Sequence, residues 1–503
     1  MKSKTQTHAE RWGLFELALE GTDEGNPYKE CLLTAIFRHR ERTVDITGFY
    51  DGNGVYRIRF MPDTEGEWTY KTASNYPELD GITGRLTCGA PAAGNRGPVR
   101  IRNRYGFMYE DGTVYHAFGT TCYAWIHLNE HLQERTLRTL ASAPFNKIRM
   151  CVFPKHYSFN SEEPVYFPFV RTEAGEIDFS RFDPRFFANL EHRILQLQRL
   201  DIEADLILFH PYDKGRWGFD SMDRETDDFY LRYVLARLSA FRNVWWSLAN
   251  EYDFMKGKHT EDWDRLFQIV QQEDPYDHLR SIHNGTRMYD PGSVVMYDHG
   301  KPWVTHCSIQ HWDVTLTAVW HDLYKKPIVI DECCYEGNIP QRWGNITGEE
   351  MTRRFWDGVT RGGYVTHGET FLHPEDVIWW AKGGELHGES PRRIAFLRSI
   401  INGAPADCEP IPAVYDVPTI GVEGEYYLQY FGLHVPAYRM IELPDTAEYS
   451  LEIIDTWNMT ISDVPGKVSG KFRLDLPGKP YQAVRTRKIT SDINNNPICH
   501  KQH

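Results

Sequence analysis

Residues Asn243–Asp253 read NVWWSLANEYD: an apolar, aromatic run that ends abruptly in Asn250-Glu251. An uninterrupted apolar run of this length reads as a strand buried on both faces, the kind found in parallel sheets covered by helices. It delivers an amide and a carboxylate to its C-terminal end, where parallel β/α barrels assemble their active sites. Working outward, similar runs recur at Val114–Thr121, Lys147–Phe153, Glu203–Phe209, Leu279–His283, Trp303–Ile309, Pro327–Asp331 and Gly363–His367. With Val244–Ala249 these make eight, the number a closed β/α barrel requires.

Helix-like segments lie between most of them: Leu132–Ala143, Pro184–Leu200, Thr226–Phe241, Thr260–Glu273, Val314–Tyr324 and Thr347–Arg361. Asp183-Pro184 and the Thr347/Glu350 pair supply capping chemistry at two of the starts. Strand-then-helix alternation predicts a (β/α)8 TIM barrel in the α/β class. The stretch NGTRMYDPGSVVMYDHGK, between the fifth and sixth runs, carries no helical pattern and reads as a degenerate unit. The second unit carries a long insertion, Pro154–Asp183, with His156, Tyr157, Phe159, Tyr166, Phe167 and Phe169, placed to wall a pocket.

The flanks have a different texture. From His8 to Ala90 short alternating segments are broken by Gly, Pro and Asn, which predicts an Ig-like antiparallel β-sandwich. A tight hairpin is expected at Asp51-Gly52-Asn53-Gly54, because Asn-Gly accepts positive φ. PAAGNRGP, at 91–98, has linker composition. Arg392–Asn402 reads as a closing helix, and alternation returns from about Pro410 to Arg487. The expected domains are therefore 1–98, a β-sandwich; 99–405, the barrel; 406–490, a second β-sandwich; and 491–503, a disordered tail.

The 503 residues, 41% of them hydrophobic, suffice for a large core. With 56 Lys and Arg against 70 Asp and Glu, the net charge is −14 and no basic run interrupts it, which excludes a phosphate backbone as the natural partner. MKSKTQTHAERWGLF lacks an apolar leader core and no window suits a membrane span, so the expectation is a cytoplasmic protein with no membrane partner. Nine scattered cysteines (31, 88, 122, 151, 307, 333, 334, 408 and 499) suggest reduced, packed thiols rather than a disulfide framework or zinc ribbon.

Two carboxylates stand out. Glu251 follows the fourth run, and Glu332, in KPIVIDECCYEG, follows the seventh. Strand alternation groups Ile328, Ile330 and Glu332 on one side and Val329 and Asp331 on the other, so only one of Asp331 and Glu332 should face a pocket. Carboxylates on well-separated strands can flank one glycosidic bond, where one protonates the leaving oxygen and the other attacks or stabilises the oxocarbenium-like centre. Arg149, His210 and Asn250 are the nearby donors. His367 and Glu369, after the eighth run, could grip sugar hydroxyls or pair with each other. Trp125, Trp379 and Trp380 could stack on sugar faces or sit in the core. Glu385, His387 and Glu389 read as an exposed polar loop, and Cys333-Cys334 as strand-end packing. Neither HExxH nor clustered ligand spacing appears, so no catalytic metal and no cofactor is expected, and the absence of GxGxxG, Walker and GxSxG motifs removes nucleotide and serine-hydrolase chemistry.

Glu251 after Asn250 on strand four and Glu332 on strand seven, with Arg149 in NKIRMCVFP and His210 in LILFHPYD, resemble the 4/7 superfamily (clan A type) of retaining glycoside hydrolases. The flanking sandwiches and HGETF, at His367–Phe371, resemble more narrowly the apiosidase-like barrels of bacterial glycosidases. That resemblance implies Glu251 as acid/base, Glu332 as nucleophile and Asn250 as the amide on the sugar 2-hydroxyl. It also marks a departure. Sixth strands of the clan often carry His-x-Tyr, whereas this chain has Ile309-Gln310-His311-Trp312, with His311 the substitute to orient Glu332. The reading is a retaining, exo-acting hydrolase of small imported oligosaccharides or glycosides. An inverting hydrolase, a transglycosylase and a non-catalytic carbohydrate-binding scaffold remain open beside it, and two sandwich surfaces leave room for self-association.

Overall fold

The computed structural model describes residues 6–285, 290, 294–375, 377–412, 414 and 416–489; the tail expected at 491–503 lies outside them. Eight parallel strands form the central sheet: β1 (Phe118–Thr121), β2 (Lys147–Cys151), β3 (Glu203–Phe209), β4 (Val244–Ala249), β5 (Arg280–Ser281), β6 (Cys307–Gln310), β7 (Ile328–Glu332) and β8 (Tyr364–His367). They pair in chain order from β1 to β5 and from β6 to β8, and β8 pairs with β1. A parallel bridge between His283 and Ser308 closes β5 onto β6. Each strand falls on one of the eight runs read from the sequence, β6 and β7 ending one residue past theirs.

Helices cover the barrel: α1 (Glu130–Ser142), α2 (Pro184–Arg199), α3 (Arg224–Leu238), α4 (Thr260–Glu273), α5 (Thr317–Tyr324), α6 (Gly348–Val359) and α7 (Ser390–Asn402). Asp183 caps α2 by accepting from Arg185 N, with Pro184 in the first turn, and Thr347 caps α6 by accepting from Glu350 N. Between β5 and β6 no helix occurs among the described residues. Even-numbered residues of β2, β3 and β4, such as Ile148, Leu206 and Trp246, pack outward against α2, α3 and α4. None of the helices among the described residues is long and apolar enough to cross a membrane.

The first run splits. Val114–Tyr115 belongs to a three-stranded antiparallel hairpin with Val99–Arg102 and Gly106–Tyr109, and only Phe118–Thr121 enters the barrel. Phe107, Tyr109 and Tyr115 of that hairpin pack on Trp245, Leu279, Val329 and Tyr364, plugging the barrel floor. An apolar run long enough for one strand thus serves two, because the plug needs burial as much as the barrel does.

Before the barrel, a five-stranded and a three-stranded sheet enclose Phe37, Tyr56, Ile58 and Trp68. The hairpin at Asp51–Gly54 forms as expected, with Gly52, Asn53 and Gly54 at φ of +85, +52 and +72° and Asp51 N donating to Val55 O at 2.7 Å. This sandwich is pinned to the barrel by buried charge: Arg59 and Arg237 share Glu191, and Arg237 reaches Asp51. After α7 comes a six-stranded sheet with a two-stranded companion, Tyr438–Glu442 and Lys471–Asp475. Within the long insertion, Phe169 and Phe182 are core residues, stacked at 4.7 Å on paired strands, so only part of that segment is free to face a ligand.

Candidate active site

β4 directs Trp245 to the floor plug and Ser247 to Arg149, so its odd positions face the barrel interior. The strand then ends in a left-handed residue, Glu251 at φ 51 and ψ 54°, which turns the chain and leaves the carboxylate 7% exposed at the mouth. Non-glycine residues rarely adopt this conformation, and it recurs where a site demands it. Glu251 accepts from the Tyr212 hydroxyl, from Asn250 Nδ2 at 3.2 Å and from Gln310 Nε2 at 3.2 Å.

Glu332 ends β7 and is 5% exposed. It accepts from the Tyr123 hydroxyl and from Gln310 Nε2 at 2.6 Å, with Arg149 Nη1 3.9 Å away. One amide nitrogen therefore touches both carboxylates. The separation of Glu251 Oε1 from Glu332 Oε2 cannot exceed those two contacts of 3.2 and 2.6 Å laid end to end, about 5.8 Å. Gln310 is itself clasped by Asn284, which accepts from Gln310 N at 3.1 Å and donates to Gln310 O at 3.2 Å.

Glu332 alone of the pair reaches the mouth, with Asp331 fully buried below it, but the grouping of Glu332 with Ile328 and Ile330 is corrected. Ile328 and Ile330 do point outward to the helices, but both carboxylates are turned to the interior, at different depths. Asp331 lies one layer down, bound by Lys147 Nζ at 2.8 Å, Thr366 Oγ1 at 2.8 Å and the Ser308 hydroxyl. The pairing of β6 with β7 shifts register between Ile309 and Gln310, opposite Glu332, so simple alternation ends there. Lys147 also holds Asp205 at 2.7 Å, and Arg149 lies 3.5 Å from Asp205 and 3.9 Å from Asp331. Burial alone would raise the Asp331 pKa, yet Lys147 and Arg149 outweigh it and hold the group ionised.

Above this layer, Lys155 is 2% exposed, with Nζ 3.9 Å from the ring centroid of Tyr123, 4.2 Å from Tyr212, 4.8 Å from Tyr157 and 5.5 Å from Trp380. Burial lowers its pKa, while Glu251 and Glu332 resist that fall. At Glu251 burial raises the pKa, the Glu332 charge raises it further, and Lys155, Tyr212 and Gln310 pull it back; the balance is about 7.

The other residues singled out in the sequence divide. Arg149 and Asn250 join the cluster. Trp380 contributes to its aromatic wall, beside Trp343 at 5.1 Å and Phe159 at 5.5 Å. His210 does not offer a free nitrogen: Nε2 pairs with Phe153 O at 3.1 Å and Nδ1 accepts from Tyr212 N at 3.1 Å, so it positions Tyr212. Its pKa is pushed down to about 3 by burial. His311 lends Glu332 only its backbone N–H, at 2.9 Å; its ring stacks on Trp312 at 4.1 Å and Nδ1 accepts from Asp313 N. The side chains holding Glu332 are Gln310 and Tyr123 instead. Trp125 is fully buried against Met150, and Trp379 is 2% exposed with Nε1 on Thr120 Oγ1 at 2.9 Å, so neither can stack on a sugar. His367 and Glu369 meet in a buried cluster apart from the two carboxylates, with Nε2 3.9 Å from Glu369 Oε2 and not hydrogen-bonded to it.

Tyr123, Tyr212, Lys155 and Gln310 escaped the sequence reading. Tyr212 stands in HPYD two residues past His210, and Gln310 beside His311 at the end of the sixth run. A polar residue within a few positions of a barrel-strand end was the signal available for all four.

A β/α barrel that presents buried glutamates from strands four and seven across one shared donor defines a glycoside hydrolase of the clan A type. Residues 102–395 match the family described as the apiosidase-like catalytic domain. Two domains of unknown function match the flanks, DUF5060 at 8–75 and DUF5605 at 415–487. A crystal structure of a "putative glycoside hydrolase" from Bacteroides vulgatus is 41% identical over 96% of this chain and 100% of its own, with a TM-score of 0.89. A family 5 glycoside hydrolase of the same organism shares the fold at 14% identity and a TM-score of 0.59, over 78% of this chain and 94% of its own. No curated protein matches. The chain belongs to the apiosidase-like family and is a glycoside hydrolase.

Proposed function

We propose that the chain cleaves its glycosidic bond with retention of anomeric configuration, acting on the ends of small oligosaccharides or on simple glycosides. The observation that carries the mechanism is the shared Gln310 amide. Retaining enzymes hold their carboxyl groups about 5–5.5 Å apart, and inverting enzymes about 6.5–9.5 Å apart to admit a water. The bound of about 5.8 Å on one oxygen pair favours the former.

Glu251, with its pKa near 7, donates its proton to the leaving oxygen. Glu332, held by Tyr123 and Gln310, attacks the anomeric carbon as the bond to the aglycone breaks, giving a glycosyl-enzyme ester. Glu251, now ionised, takes a proton from water; the hydroxide attacks the same carbon and releases Glu332. Asn250, whose Oδ1 is buried without a partner, is placed to meet a sugar hydroxyl. The low exposure of both carboxylates and the wall of Tyr157, Phe159, Trp343 and Trp380 support a small pit rather than an open cleft.

The test is a panel of aryl furanosides and pyranosides of both anomers, with Glu332→Gln as the blank and the first-formed product followed by proton NMR. Retention is expected on whichever glycoside turns over. First formation of the opposite anomer would overturn the mechanism, and cleavage confined to the interior of polymers would overturn the small-substrate reading.

A further inference from the structure

Beyond the barrel mouth, one cluster of ligand-type side chains is used by no step above. Glu336, His367 and Glu369 are 2, 0 and 1% exposed, and their ligand atoms lie within 4.8 Å of one another. Glu336 and Glu369 belong to two short strands that pair in parallel just past β7 and β8. Backbone amides of 387–390 tie both down: His387 and Gly388 donate to Glu369, and Glu389 and Ser390 donate to Glu336. Gly388 presses on the pair so closely that a Cβ there would lie 2.5 Å from Glu336 Oε2 and 2.6 Å from Glu369 Oε2.

Amide donors satisfy part of each carboxylate but supply no full positive charge. No Lys or Arg ion pair to Glu336 or Glu369 is formed among the described residues, and Arg393, which feels the Glu336 charge, donates Nε to Trp457 O and Nη1 to Glu389 O. Two buried carboxylates this close need a cation or a shared proton. The second observation separates these. His367 Nε2 is buried with no hydrogen-bond partner and faces Glu369 Oε2 at 3.9 Å. Its other nitrogen is engaged: Nδ1 pairs with Thr120 Oγ1 at 3.1 Å, and Thr120 Oγ1 accepts from Trp379 Nε1 at 2.9 Å. An imidazole anchored through Nδ1 with Nε2 left to a ligand is the arrangement metal-binding histidines adopt. A proton shared by the glutamates would leave that nitrogen unused.

We propose that Glu336, His367 and Glu369 form a structural site for a divalent transition cation, with Zn2+ the best fit to a set of two carboxylates and one imidazole. Bound at about 2.0–2.2 Å from each ligand, the ion brings the three atoms to about 3–4 Å from one another, a shift of about 1 Å from their present spacing. It neutralises the two glutamates and locks the segments after β7 and β8 to the loop that leads into α7. The site is independent of the proposed reaction: the ion touches neither Glu251 nor Glu332.

The experiment uses the full chain. Elemental analysis of the purified protein, then calorimetric titration of chelator-stripped protein with Zn2+, Mn2+ and Ca2+, should give close to one equivalent of a transition ion per chain and a higher Tm on its return. Glu369→Gln and His367→Gln should each lower the affinity at least about tenfold with unchanged circular dichroism. If a variant fails to fold, the wild-type titration decides. Uptake below about 0.1 equivalent of every ion by the stripped wild type, or unaltered affinity in folded His367→Gln, overturns the site.

Discussion

Tyr212→Phe offers a direct test of how Glu251, the proposed acid/base, is tuned. Phe keeps the ring that packs on Lys155 and the backbone N–H that His210 accepts, and it deletes only the hydroxyl donated to Glu251. That donor favours the ionised carboxylate, so its removal raises the Glu251 pKa above about 7. A hydrogen bond to a charged group contributes about 1.5–3 kcal/mol, and one pH unit corresponds to about 1.4 kcal/mol, so the shift should be about 1–2 units.

In the proposed mechanism the first half-reaction needs Glu251 protonated, so kcat/KM should fall as pH rises through that pKa. At pH 8 the wild type should keep about a tenth of its plateau and the variant about half or more. The plateau itself should drop severalfold, since a weaker acid is a poorer proton donor at the leaving oxygen. The assay is kcat/KM for an activated aryl glycoside from pH 5 to 10, with circular dichroism to show that both proteins are folded. An alkaline limb that stays in place, or moves to lower pH, refutes the assignment of Glu251 as the group that must carry the proton.

Two further outcomes follow from the same geometry. Gln310→Ala removes two hydrogen bonds to carboxylates and should lower kcat/KM by about 10–100-fold, at about 1.5–3 kcal/mol for the stronger one, whereas His311→Ala should change it less than about threefold; the reverse ranking would return the orienting role to His311. Glu251→Gln should raise stability at pH 8 but not at pH 4, measured by urea unfolding. The folded pKa of about 7 lies above the unfolded value, so the stabilising contribution of the proton is present at low pH and lost as pH rises through 7. The gain at pH 8 should be on the order of a few kcal/mol, and equal effects at both pH values would sink the argument.

The barrel was legible because its strands are buried on both faces and read as largely apolar runs; the faintest is LRSIH at 279–283, where only Arg280–Ser281 meets strand geometry. The two glutamates were legible for a related reason: a carboxylate after VWWSLAN or IVI has no apolar explanation. What alternation missed begins where the ladder stops. Glu251 turns left-handed, the β6–β7 pairing slips at Gln310, and Asp331 and Glu332 both end inward. Tyr123, Tyr212 and Lys155 lie two to four residues past their strands, where period-two reasoning no longer applies. Trp125 and Trp379 show the converse error, since an aromatic in a loop can pack under it as readily as on it. Glu336 was hidden because its pairing with Glu369 depends on two segments 33 residues apart meeting past the barrel rim.

The charge arrangement around the two glutamates has its own logic. Beneath Glu332, Lys147 and Arg149 face Asp205 and Asp331, two cations against two anions, so that layer leaves little net charge to act on the mouth. Above it, one cation, Lys155, stands among aromatic rings that both glutamates touch through Tyr123 and Tyr212. One ionised glutamate balances Lys155; two leave an uncompensated negative charge in a buried pocket, which is costly. The site is thereby built to hold a single proton on the pair near neutral pH. Glu332 has Arg149 nearby as well as Tyr123 and the shorter contact to Gln310, so the proton falls to Glu251. On the proposed mechanism, the number of charges and donors placed around each is what makes a nucleophile of one and an acid of the other, from two chemically identical side chains.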